Sequence, residues 1–108
     1  MIKVFIKENS WIAKIAAYKL KADNCAIVIH RSIYLFRITK KQILHDKKLL
    51  NHELTHILQW RNHGVIKFVF LYLYYSLKYG YQQNPFEIEA RNNENNFDIV
   101  RKFTLPEN

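Results

Sequence analysis

Lys47-Lys-Leu-Leu-Asn-His-Glu-Leu-Thr-His-Ile-Leu-Gln-Trp-Arg61 is the stretch on which the fold and the chemistry of this chain turn. Leu50, Leu54, Ile57 and Leu58 fall at i, i+4, i+7 and i+8, the apolar stripe of a helix packed on a core. Gly64 follows closely and is a residue on which such a helix stops. Inside the stretch, His52-Glu53-Leu54-Thr55-His56 has the form HExxH. Residues i and i+4 of a helix stand one above the other, so His52 and His56 offer two imidazole nitrogens to one metal ion. At about 100° per residue they lie opposite the apolar stripe, which leaves their face free to line a cleft. Glu53 is offset around the helix and stands beside the metal, where a general base for an activated water belongs.

Working outward, Val65 to Tyr79 is the most hydrophobic stretch, with aromatic residues at 68, 70, 72, 74, 75 and 79 and only Lys67 and Lys78 charged. It predicts a largely buried helix. Its apolar run is well short of the roughly 20 residues needed to span a bilayer, so no membrane partner is expected. Pro85 suits a first helical turn, and Phe86 to about Lys102 predicts a last helix whose asparagine-rich middle, Asn92 to Asn96, is expected to be poorly ordered. On the other side, Met1 to Ile6 is β-compatible and Ser10 suits the N-cap of a helix over Trp11 to Leu20. Cys25 to His30 and Ile33 to Ile38 are β-branched and aromatic runs that predict a hairpin turning at Arg31-Ser32. Thr39 to Lys48, with Lys40, Lys41, Lys47 and Lys48, reads as a solvated connection. The fold class expected is therefore α+β, a small domain over 1–108 in which a hairpin or short sheet packs on the motif helix with two to three further helices.

Composition bounds the rest. The chain has 108 residues, 49% of them hydrophobic and 24% charged, with two glycines and two prolines, which excludes disordered and collagen-like classes. A single cysteine, Cys25, makes no internal disulfide, and the charge-broken amino terminus does not read as a signal peptide, so a cytoplasmic setting is expected. The formal charge of +8 is uneven: residues 1 to 80 hold fourteen basic and four acidic side chains, residues 81 to 108 three and five.

A catalytic zinc site takes a third protein ligand and keeps one position open. The candidates are His30, His45, His63, Glu87 and Glu89. His63 lies about 10 Å along the axis from His56 if the helix runs on, too far to share an ion. Glu87 and Glu89 open the last helix and point about 200° apart, so one of them alone reaches the ion, and Ala90 on the Glu87 face permits close approach to the motif helix. An oxyanion donor is sought among His63, Tyr79, Tyr81 and Arg91, and the edge of Ile33 to Ile38 is where a substrate strand is expected to add.

His52-Glu-Leu-Thr-His-Ile-Leu-Gln59, followed by Asn84-Pro-Phe-Glu-Ile-Glu-Ala-Arg91, resembles the minimal zinc metallopeptidase-like domains of the gluzincin type. The resemblance spans residues 25 to 91 and implies a zincin-like fold and a metalloprotease activity. It implies zinc held by His52, His56 and Glu87, with Glu53 as base and a peptide or protein as substrate. Arg91 departs from the pattern, standing where an Asp or Asn commonly supports the site. The His63-Gly64 pair and the basic charge are similar to SprT-like DNA-associated proteases, a further alternative. A third reading is a non-catalytic metal-binding or basic interaction domain that contacts nucleic acid or an acidic partner, although no nucleic-acid motif is present.

Overall fold

Short polar side chains and two glycines set most of the helix boundaries in the computed structural model, which describes residues 1–107. Two short strands, β1 (Ile2–Lys3) and β2 (Phe5–Lys7), lead to α1 (Trp11–Leu20), whose first turn is closed by Ser10 Oγ accepting from the Ala13 amide at 3.3 Å. Lys21, at φ 57°, ends the helix in the left-handed conformation. The hairpin follows as β3 (Cys25–Ile29) and β4 (Ser32–Phe36), turning at His30-Arg31 rather than one residue later. His30 takes φ 59°, which lets a two-residue turn close without glycine.

The sheet order is β2-β4-β3, with β2 parallel and β3 antiparallel to β4. β4 is thus the central strand, and the expectation that its edge receives a substrate strand is corrected: both its edges are paired, and the edge strands of the sheet are β2 and β3. Buried Ala13 and Ala17 let α1 lie close against β3 and β4.

Thr39 to Lys48 is not simply a solvated connection. It forms a short helix, α2 (Lys40–His45), because Thr39 and Gln42 build a capping box, each side chain bonding the other's backbone amide. Asp46 then closes α2 and opens α3 (Lys47–His63), its Oδ1 accepting from the Leu49 amide at 3.1 Å. The stripe of Leu50, Leu54 and Ile57 joins Val28, Ile33 and Leu35 in the core, so the motif helix is anchored directly on the sheet. Gly64, at φ 80°, separates α3 from α4 (Val65–Tyr79), and Gly80, at φ 82°, ends α4.

The largely buried helix expected over Val65 to Tyr79 is the second correction. Phe68 alone in α4 is buried, because the helix rests on the end of α3 through one aromatic ridge and nothing covers its outer side. In that ridge Phe68 meets Trp60 and Phe86 at centroid distances of 4.7 and 4.8 Å. Asn84 is fully buried and donates from Nδ2 to Tyr72 O and Ser76 Oγ while its Oδ1 caps α5 (Pro85–Asn92). The last helix does not run to Lys102. It stops at Asn92, where Asn93 to Asn96 turn back on themselves, and a 3-10 turn over Ile99–Lys102 then leads to β5 (Phe103–Thr104), parallel to β1. Asparagine competes for backbone hydrogen bonds and so favours the turn over the helix interior. The result is an α+β fold with α3 held between the sheet and α5.

Candidate metal centre

α3 and α5 are drawn together by small contacts at their crossing, with Ala90 fully buried and Asn51 Nδ2 donating to Glu94 O at 3.0 Å. The crossing carries Glu87 to the two motif histidines. His52 Nε2 lies 3.1 Å from Glu87 Oε1 and His56 Nε2 lies 3.3 Å from Glu87 Oε2. One donor atom from each of the three residues falls within 4.8 Å of the others. Ligands about 2 Å from a tetrahedral ion stand roughly 3.3 Å apart, so the spacing and the His-His-carboxylate chemistry suit zinc.

Outer partners fix each donor. Gln59 Nε2 donates to Phe86 O at 3.0 Å and to Glu89 Oε1 at 2.6 Å, which turns its Oε1 toward His56 Nδ1 at 2.8 Å. Nδ1 of His56 must therefore be the donor, and Nε2 faces Glu87. Glu94 Oε2 holds His52 Nδ1 in the same way at 2.9 Å, and Tyr72 donates its hydroxyl proton to Glu87 Oε2 at 2.6 Å. Burial alone would raise the Glu87 pKa, but hydrogen bonds from His52 and His56 bring it far below the usual carboxylate range. Burial opposes charge on His56 too, yet Glu87 and Glu53 raise its pKa to about 9, and His52 is raised for the same reasons.

Glu53 projects beside this cluster, only 5% exposed. Burial pushes its carboxyl up to about 7, against the opposing pull of His56 and His52. It stands where two limbs of a cleft meet, together with Cys25, Ala26 and Tyr81. One limb, about 360 Å³, is walled mainly by apolar groups of α1, β3 and α4, including Leu20, Val28 and Leu73. The other, about 860 Å³, is wider and more polar, with Arg37, Lys48, Asp46 and Glu94. The open edge of β3 runs along the first limb. Trp60 Nε1 donates to Val28 O at 3.2 Å, so Val28 turns its backbone groups away from β4. Ala26, two residues earlier, does the same.

Comparison with protein-family models, curated proteins and solved structures finds no match to this chain.

The other proposed ligands lie elsewhere. His63 packs edge-on against Phe86 at 5.3 Å, His45 Nδ1 bonds Lys41 O, and His30 sits exposed in the hairpin turn. Glu89, the rival of Glu87, is the acceptor that orients Gln59. Among the oxyanion candidates, Tyr81 lines the cleft, whereas Tyr79 stacks on Tyr75 and Arg91 is bonded to Gln82. Three participants escaped the sequence. Gln59 was findable, being one turn beyond His56 on the same helix. Glu94 was hidden in the asparagine-rich segment, and nothing in the spacing marked Tyr72.

Proposed function

We propose that this protein is a zinc-dependent metallopeptidase, a hydrolase in which His52, His56 and Glu87 hold the metal and Glu53 is the general base. The observation that carries this reading is the convergence of three donor atoms within 4.8 Å beside a buried carboxyl whose pKa is raised to about 7. A zinc ion held there supplies Lewis acidity toward a peptide carbonyl and makes a neighbouring water more acidic. Glu53 takes the proton from the attacking water and delivers it to the departing amine nitrogen. Buried beside the cluster and out of bulk water, the Glu53 carboxylate is placed to accept that proton and return it. The Tyr81 phenol, held protonated by burial and by the nearby Glu87 and Glu53 carboxylates, donates a hydrogen bond to the carbonyl oxygen as negative charge grows there. An extended peptide pairs with the open β3 edge at Ala26 and sets its side chains into the two limbs of the cleft. The lone cysteine suits a reducing, cytoplasmic setting.

The test is cleavage of fluorescently quenched casein by the zinc-loaded protein. Cleavage by the wild-type chain is expected, with a loss of about 100-fold or more in Glu53→Gln while its zinc content stays unchanged. Equal cleavage by Glu53→Gln would overturn the assignment of the base. Stoichiometric zinc with no cleavage of any unfolded substrate would replace the peptidase by a non-catalytic metal-binding domain.

A further inference from the structure

The feature the metal centre leaves unexplained is the outer side of α4. Ile66, Phe70, Leu73 and Leu77 recur at intervals of four, three and four, which places them on one stripe. They are 73%, 70%, 56% and 90% exposed. The stripe faces away from Phe68, so α4 is apolar on two sides and only one of them meets the core. Such an exposed patch is more than the scattered apolar residues of an ordinary surface.

The charges on α4 itself are all of one sign. α4 carries Lys67 and Lys78 and no acidic residue, and Lys78 lies over the Tyr74 and Tyr79 rings. α1, the opposite wall of the apolar limb of the cleft, repeats the composition: Trp11, Ile15 and Tyr18 are exposed beside Lys14 and Lys19, again with no acid. A second copy of this chain would bring lysines against lysines with no carboxylate on either helix to pair with them. An anionic lipid surface supplies the missing charge and accepts Trp, Tyr and aliphatic side chains at its headgroup boundary.

We propose that the outer face of α4 seats this protein on an anionic bilayer surface, with α4 lying in the interface rather than across it. No helix among the described residues is long and apolar enough to cross a membrane. That length requirement, on which the expectation of no membrane partner rested, does not apply to a helix lying in the surface. The cytoplasmic leaflet, rich in anionic lipid, is the fitting surface.

Flotation of the full chain with phosphatidylcholine vesicles, with and without phosphatidylglycerol, tests this. Binding is expected to the mixed vesicles and to be weakened by salt. Phe70→Ser with Leu77→Ser should lower the partition about 100-fold, roughly tenfold for each apolar side chain withheld. Lys67→Glu with Lys78→Glu should abolish the preference for phosphatidylglycerol. Absence of binding at low salt would overturn the proposal. So would equal binding to both vesicle types, or a dimer in solution that Leu77→Ser returns to monomer. None of these residues touches the His52–His56–Glu87 cluster, so flotation is read independently of zinc and of cleavage.

Discussion

Glu94 Oε2 lies 2.9 Å from His52 Nδ1, while the backbone carbonyl of Glu94 accepts from Asn51 Nδ2 on the same helix as His52. The turn that ends α5 is thus tied to α3 twice, once through its backbone and once through a carboxylate that sets the imidazole's orientation. This contact also answers the departure at Arg91. Arg91 faces out and bonds Gln82, and the supporting carboxylate arrives three residues later, after the helix has ended. Replacing it with Glu94→Gln should keep the fold and weaken zinc binding about 10- to 100-fold. Chelator competition monitored by a zinc-sensitive dye reads this directly; unchanged affinity would reduce Glu94 to a surface residue.

Zinc content separates the two acids of α5. Elemental analysis should find close to one zinc per wild-type chain and almost none in Glu87→Ala or His56→Ala. Glu89→Ala should retain metal with lower affinity, because it loses only the acceptor that orients Gln59. The reverse order for the two glutamates would move the third ligand to Glu89.

The metal-free protein should lose stability as the pH rises from about 5 to 9. His56 has its pKa raised from 6.5 to about 9, so its pairing stabilises the fold fully below 6.5 and is lost as the pH climbs through 9. Glu53 is held protonated to about 7 against an ordinary 4.5, so its burial begins to favour unfolding above 4.5 and does so fully beyond 7. Glu87, held low, contributes above its ordinary 4.5 and is lost only on acidification. Thermal melts in chelator should show the alkaline decline, and Glu53→Gln should flatten its lower half. Zinc binding should strengthen over the same range, because the histidines must shed their protons to ligate.

Truncation should cost very different amounts on the two sides of α4. Phe68→Ala removes the ring that joins Trp60 to Phe86 and should cost about 3–5 kcal/mol, and Leu54→Ala in α3 about 2–5 kcal/mol. Leu77→Ala, at a position 90% exposed, should change stability by less than about 0.5 kcal/mol. Urea unfolding of the three variants measures the contrast, and a comparable loss at Leu77 would mean that its side chain is covered.

Ala26→Pro probes the open strand edge. Its amide points away from β4, so proline removes no ladder hydrogen bond and the protein should fold with zinc affinity intact. Cleavage of an extended peptide should show a raised KM with kcat less affected, since one backbone contact to substrate is gone. Wild-type kinetics would place the substrate elsewhere.

The motif helix, its apolar stripe, its glycine stop, the N-cap at Ser10 and the hairpin were legible in the sequence because each rests on spacing within a few residues. The pairing of His52 and His56 on one face belongs to the same local class. Tertiary structure decided what lies between elements distant in the chain. β4 became the central strand only once β2 paired with it, which left β2 and β3 as the edge strands. α4 looked buried because its composition is apolar on every side; how much of a helix is covered depends on its neighbours, and here only one ridge has any. Glu87 rather than Glu89 reaches the histidines, with Glu94, Gln59 and Tyr72 behind them, because α5 crosses α3 at a fully buried alanine and stops at Asn92. The sequence by itself set His52, His56 and Glu53 on one helix through helical periodicity; the approach of Glu87 and every supporting hydrogen bond were decided by the crossing of two helices about thirty residues apart.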